Sequence, residues 1–196
     1  IESDRFKSYE ESSPVKMDFS FPGNYTTFRP DLPPQLGGTL PTREEIIKLG
    51  KEFSHISMFS KNVLVSGVAA LDREVSNFAL KNSLSDFEFL MCIPGTIGGA
   101  IRMNAGCYGK DISKILLSVQ AMDLKGNIIV IPSSKIDFYY RGSNLDNNLI
   151  FISATLQGTI DIKDNIKKKM DLLVDKKKKS QPSNIKTCGS TFKNLK

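Results

Sequence analysis

Apolar residues recur at three- and four-residue steps through Val68, Leu71, Val75, Phe78 and Ala79, which predicts a helix over 68–81 with Asp72, Arg73 and Asn77 on its outer face. Just before it, Asn62-Val-Leu-Val-Ser-Gly67 predicts a short strand closed by glycine. Ile115 to Asp123 alternates through Leu117, Val119 and Ala121, Lys125-Gly-Asn127 has turn chemistry, and Ile128 to Ile131 follows as a second strand, so the stretch reads as a hairpin. Leu149 to Gly158 predicts a further strand. Spacing through Ile162, Ile166, Met170 and Leu173 or Val174 predicts a helix over 161–179. The run 42–50 is too short for periodicity to choose between helix and strand. The class is mixed α and β.

The texture changes near residue 42. Six of the nine prolines lie in 1–41, with Gly37-Gly38 beside them, a composition that breaks regular elements. With 196 residues and 40% apolar content the chain can bury a core, which excludes a disordered tail or a disulfide-stapled mini-protein. Lysine plus arginine (27) exceeds aspartate plus glutamate (21), a basic excess that suits phosphate-bearing ligands but falls short of a dedicated nucleic-acid binder. Cys92, Cys107 and Cys188 form no Cys-x-x-Cys pair, so neither a disulfide framework nor a metal site is expected; each reads as small packing volume in a reduced, cytoplasmic setting. His55 has no ligand pattern around it. The lysines at 167–169 and 176–179 spread over several helix faces without interleaved aromatics, which fits a solvated helix end rather than a nucleic-acid or membrane surface. No apolar run is long enough to span a bilayer.

The densest signal is Phe87 to Gly109, where an apolar run meets Pro94 and then five glycines within fifteen residues. Glycine is retained where backbone must take positive φ or approach another group closely. Two readings stay open on the residues alone: a tight structural turn, or amides at Gly95-Thr-Ile-Gly-Gly99 that cradle phosphate oxygens. The spacing is neither the dinucleotide Gly-x-Gly-x-x-Gly nor a nucleoside-triphosphate loop.

Phe89-Leu-Met-Cys-Ile-Pro-Gly-Thr-Ile-Gly-Gly-Ala100 followed by Met103-Asn-Ala-Gly-Cys-Tyr-Gly109 closely resembles the UDP-N-acetylenolpyruvoylglucosamine reductase family. Tyr140-Arg-Gly-Ser143 resembles that family's Tyr-Arg-x-Ser. Gln181-Pro182 with Gly189-Ser-Thr-Phe-Lys-Asn194 resembles its Gln-Pro and Gly-Ser-x-Phe-Lys-Asn-Pro, with Leu195 where the family has proline. The likeness runs from Ile46 to Asn194 and recurs at Tyr25-Thr-Thr-Phe-Arg29.

The resemblance implies an α+β FAD-binding domain of the vanillyl-alcohol-oxidase-like type followed by the beginning of an α+β substrate-binding domain. Residues 1–41 would be an irregular remnant of the first FAD-binding subdomain, 42–160 the main one, and 161–196 the start of the substrate domain. It implies a bacterial enzyme of peptidoglycan precursor synthesis, tied to cell-wall biogenesis, cell shape and division. In that reaction NADPH reduces bound FAD and the flavin reduces UDP-N-acetylglucosamine enolpyruvate to UDP-N-acetylmuramate. Arg141 and Ser190 match its catalytic residues, one beside the enolpyruvyl carboxylate and the other donating a proton to carbon. Tyr140, Lys193 and Asn194 match substrate-binding positions. Pro94, Gly95, Thr96, Ile97, Gly98, Gly99, Asn104, Ala105 and Gly106 are the expected cofactor-binding residues, acting through backbone donors. The family's Gly-Gly-Gly-Ser-Asn flavin loop and its later catalytic glutamate have no counterpart here, so an incomplete enzyme is expected, with a non-catalytic remnant keeping a phosphate- or partner-binding surface as the alternative.

Overall fold

The computed structural model describes residues 49–180, which from Gly50 onward belong to one compact unit. The expectations for 1–48 and for the motifs at 181–196, among them Ser190, Lys193 and Asn194, lie outside the described residues.

Two hairpins and one central strand build the main sheet. The strands are β1 (Ile56–Ser60), β2 (Val63–Gly67), β6 (Leu116–Met122), β7 (Ile128–Pro132) and β10 (Ile150–Gln157), in the order β1-β2-β10-β6-β7. Every neighbouring pair is antiparallel. The β6–β7 turn is set by Asp123, whose carboxylate accepts the amides of Lys125 and Asn127 at 2.8 and 2.9 Å, and by Gly126 at φ +87°.

The expected alternation on β6 fails at Leu117, which is exposed while Leu116, Val119 and Ala121 are buried. Thr155 pairs with Ser118 but Leu156 pairs with Leu116, so Leu117 is the extra residue of a bulge and points to the other side. No period-two pattern carries that information.

Between β2 and β6 lie the short elements that shape the site. These are α1 (Asp72–Lys81), β3 (Leu84–Ser85), a 3-10 turn at Glu88–Cys92, α2 (Ile97–Arg102), and the hairpin of β4 (Gly106–Cys107) and β5 (Lys110–Asp111). A second small hairpin, β8 (Phe138–Tyr139) and β9 (Gly142–Ser143), precedes β10; β11 (Thr159–Ile160) and α3 (Lys163–Ser180) follow it. The core joins Leu64, Val119, Ala154 and Leu156 of the sheet to Val75 and Ala79 of α1, Phe89 and Leu90 of the 3-10 turn, Ile97 and Ile101 of α2, and Ile166 and Met170 of α3. Burying each of the larger of these side chains, the alanines aside, stabilises the fold by about 1.5–3 kcal/mol before entropy is counted.

The first helix starts at Asp72, not at Val68. The backbone at 67–70 is held instead by neighbours: Ala69 N–H donates to Phe53, Val68 N–H to Ile152, and the carbonyls of Val68 and Ala70 accept from α2. Tertiary hydrogen bonds here override a helical apolar pattern. Asp72, expected outside, is fully buried, whereas Arg73 and Asn77 are exposed as expected. Ile162 lies before α3 and is exposed, so that helix packs through Ile166 and Met170.

Candidate cofactor and substrate site

The glycine-rich stretch divides into an inward and an outward face. Leu71 and Thr96 form an isolated antiparallel bridge, flanked by hydrogen bonds from Asp72 N–H to Gly95 (3.0 Å) and from Ile97 N–H to Ala70 (3.0 Å). Gly98 N–H donates to the Val68 carbonyl at 2.9 Å, and a β-carbon on Gly98 would sit 3.0 Å from Val68 Cβ. Ile97 is fully buried. Ile97 and Gly98 therefore serve packing, with their amides already bonded, which corrects the expectation that both offer donors to a cofactor.

The outward face is Pro94, Gly95 and Gly99, all exposed, with half-buried Thr96 between them. A β-carbon on Gly99 would meet only the Thr96 hydroxyl, at 3.8 Å. That open approach to backbone is what a phosphate-bearing cofactor requires. Under the same turn lies Asp72, one carboxylate oxygen 3.1 Å from where a Gly95 β-carbon would be, neither oxygen hydrogen-bonded. Burial pushes its carboxyl up to about 7, so near neutral pH it carries much less negative charge beside this face than an ordinary aspartate.

After α2 the chain takes φ +40° at Asn104, then forms the β4–β5 hairpin around Tyr108 and Gly109, at φ +53° and +85°. Two consecutive positive φ values are those of a primed two-residue turn. Gly106 is required by crowding, since a β-carbon there would lie 2.4 Å from the Lys110 carbonyl oxygen. Asn104 is a tie: its amide nitrogen donates to Tyr139 O at 3.1 Å and its side-chain oxygen accepts Ser113 N–H at 3.3 Å.

The backbone carbonyls of Asn104 and Gly106 carry Arg141. Tyr140 and Arg141 form the two-residue turn of the β8–β9 hairpin, with Arg141 at φ +58°. Its guanidinium donates to Asn104 O at 3.4 Å and Gly106 O at 2.8 Å and stacks 5.1 Å from the Tyr140 ring centroid. The structure thus brings Asn104, Gly106, Tyr140 and Arg141 together. Asn104 and Gly106 act as supports for the arginine through their carbonyls, whereas backbone donors were expected of them; the Ala105 amide is bonded to Ala100 and its carbonyl accepts Ile112. The Ser143 hydroxyl, next in the same motif, is buried without a partner.

Sequence reasoning missed Arg102. Its guanidinium donates to the carbonyls of Leu145, Asp146 and Leu149 at 3.2, 2.8 and 2.9 Å and covers the Phe151 ring at 4.3 Å, tying the 145–149 loop to α2. Its lone clue was a cation ending a helix of otherwise small and apolar residues. Of the α3 lysines, Lys167 pairs locally with Asp171 as on a solvated helix, whereas Lys169 reaches Asp161 and the Ser85 hydroxyl and Lys177 donates to the Cys92 carbonyl at 2.6 Å. Part of the run thus ties α3 to the rest of the fold, which corrects the expectation of a solvated end throughout. A cleft of about 550 Å³ between Lys61, Lys114 and Thr159 shares no residue with the Arg141 cluster. Among the described residues no cluster of metal-ligating side chains occurs.

An FAD-binding-domain family matches residues 35–131. The UDP-N-acetylenolpyruvoylglucosamine reductase of Pelagibacter ubique (strain HTCC1062) is 50% identical over 149 residues, 76% of this chain and 49% of that protein. The reductase of Wolbachia sp. subsp. Drosophila simulans (strain wRi) is 40% identical over 151 residues, 76% and 51%. Among solved structures, UDP-N-acetylenolpyruvylglucosamine reductase (MurB) from Thermus caldophilus superposes with a TM-score of 0.66 at 28% identity, covering 76% of this chain and 53% of that one. The matched span is thus, in sequence and in fold, an FAD-binding domain of α+β architecture. Over that span it is similar to UDP-N-acetylenolpyruvoylglucosamine reductases, as the motifs predict. The chain spans about half the length of the curated relatives it matches.

Proposed function

We propose that this chain supplies the flavin-binding part of an oxidoreductase that uses NADPH, through FAD, to reduce UDP-N-acetylglucosamine enolpyruvate to UDP-N-acetylmuramate in peptidoglycan precursor synthesis. The observation that carries the reading is Arg141, held in left-handed backbone with its guanidinium anchored on Asn104 and Gly106. Two of its five donors are engaged there, and among the described residues no other hydrogen-bond partner takes the rest, which suits them to a carboxylate. A guanidinium is permanently charged and matches a carboxylate through paired hydrogen bonds, so it stabilises the negative charge that develops as the double bond is reduced. FAD, when bound, supplies the hydride chemistry; Gly95, Thr96 and Gly99 would hold its diphosphate, with Pro94 bounding that face. Ser190 is proposed as proton donor, Tyr140, Lys193 and Asn194 as substrate contacts. The boundaries at 41/42 and 160/161, cytoplasmic placement, and the links to cell shape and division belong to the same proposal. Among the described residues no helix is long and apolar enough to cross a membrane.

The test is made on the whole enzyme that carries this span: NADPH oxidation dependent on the enolpyruvyl UDP-sugar, with Arg141→Lys compared to the parent. The reading expects a substrate-dependent rate that falls on the order of a hundredfold in the variant, because lysine cannot reproduce a planar paired contact. No dependence on the UDP-sugar, or an unchanged rate in Arg141→Lys, would overturn it.

A further inference from the structure

Buried carboxylates are ordinarily paired or hydrogen-bonded, and Asp72 is neither. The residue is fully buried, and neither of its carboxylate oxygens has a partner. One helical turn on, the buried Ser76 hydroxyl is equally without a partner, so the two do not satisfy each other. The charged and titratable groups on α1 and on the elements packed against it are exposed or engaged elsewhere. On α1 itself Arg73 and Glu74 are exposed. On the 3-10 turn, Glu88 accepts from the Ser85 hydroxyl and the Asp86 amide, and Cys92 is a free, buried thiol. On α3, Lys169 bonds Ser85 and Asp161, and Lys177 donates to the Cys92 carbonyl. On α2, Arg102 holds the 145–149 loop. None of them hydrogen-bonds Asp72. A carboxyl taken out of water with no donor and no cation beside it favours its neutral form, and burial alone pushes this one up to about 7.

We propose that Asp72 takes up a proton when a diphosphate anion binds over the Pro94–Gly99 turn, so that anion and proton bind as a linked pair. The inference rests on the reading of that turn as the flavin-diphosphate face and deepens it. Its ground is the placement of the carboxyl against the inner side of a residue whose outer side is open. One carboxylate oxygen lies 3.1 Å from the place of a Gly95 β-carbon, while Pro94, Gly95 and Gly99 are exposed. The Asp72 amide, which donates to the Gly95 carbonyl at 3.0 Å, fixes that spacing. An anion on the outer side and a carboxylate beneath it repel through protein, where like charges act more strongly than through water. A bound anion therefore raises the proton affinity of the carboxyl, and by reciprocity the protonated protein binds the anion more tightly. The proton comes from solvent, and no covalent bond of the anion changes. At low pH Asp72 is already neutral in the free protein and affinity is level; above about pH 7 it is charged, binding consumes a proton, and affinity falls as pH rises. Asp72 thus sets the net charge that the turn accepts.

The experiment uses the whole enzyme that carries this span, freed of flavin, beside its Asp72→Asn variant. FAD is titrated by fluorescence quenching from about pH 6 to about pH 8.5, an interval in which neither its diphosphate nor its isoalloxazine ring changes charge. Circular dichroism checks that each sample is folded, and calorimetry in buffers of different ionisation enthalpy counts the protons taken up. The expected result for the parent is an affinity at least about fivefold weaker at the upper pH than at the lower, with net proton uptake near pH 7.5. In Asp72→Asn the affinity should change by less than about twofold over the same range, without uptake. Binding by the parent that is independent of pH, binding without proton uptake, or the same pH dependence in Asp72→Asn would each overturn the proposal and leave the flavin reading standing. Absence of FAD binding by the folded parent at every pH would overturn both.

Discussion

The Arg141 guanidinium rests on the Gly106 carbonyl at 2.8 Å, so the residue proposed to grip a carboxylate is fixed by the hairpin that the glycine-rich motif builds. Gly106 has no room for a side chain because β5 backbone lies against it. Gly106→Ala should separate β4 from β5, destabilise the fold by about 1–3 kcal/mol, and loosen Arg141. Denaturant unfolding measures the first effect. An unchanged midpoint would show that the hairpin yields without cost.

The two adjacent glycines of α2 should respond oppositely. Gly99 faces open space within a helical turn, so Gly99→Ala should stabilise the free protein by about 0.5–1 kcal/mol. Gly98→Ala presses on Val68, which is itself buried, and should destabilise by about 1 kcal/mol. Thermal unfolding of the pair checks the sign of each change.

Asp72 should make stability fall as pH rises. Its folded carboxyl titrates near 7 against an ordinary aspartate value of 3.8, so between those values the folded protein holds a proton that the unfolded chain sheds. Its contribution is greatest below about pH 4, declines up to about pH 7 and is constant above, a total on the order of 4 kcal/mol. Asp86, Asp123 and Asp161 are shifted down, so their effect is opposite in sign and confined to pH below about 4. Asp72→Asn, which keeps the shape without the charge, should flatten the curve from pH 4 to 7 and exceed the parent in stability at pH 8. A parent curve that is already flat across that interval would contradict this.

Arg102 carries three backbone carbonyls and an aromatic face at once. Arg102→Met keeps much of the apolar stem but leaves those carbonyls without their donor, and should destabilise by about 2–3 kcal/mol. A denaturant midpoint within error of the parent would place those contacts among the neutral ones.

What the sequence disclosed and what it withheld follow one physical division. Strands β2, β6, β7 and β10 and helix α3 were legible because local periodicity matches the environment that each face meets. Leu117 was misread because a bulge is a property of two strands. The start of α1 is not legible in the sequence because the carbonyls of Val68 and Ala70 are taken by the amides of Gly98 and Ile97 respectively, far along the chain. The motifs mark a region, yet which of its glycines packs and which lies open depends on Val68 and Thr96. Nothing in the order of residues announces that Asn104 and Gly106 hold Arg141.

The most direct test of the central claim is a titration of FAD into the purified chain, followed by quenching of flavin fluorescence, with Gly99→Val beside the parent. The account predicts saturable binding by the parent and an affinity at least about tenfold weaker in Gly99→Val, a difference of about 1.4 kcal/mol, with the variant still folded. Absence of binding by the folded parent, or equal affinity in the two proteins, would contradict the assignment of this face to the flavin diphosphate.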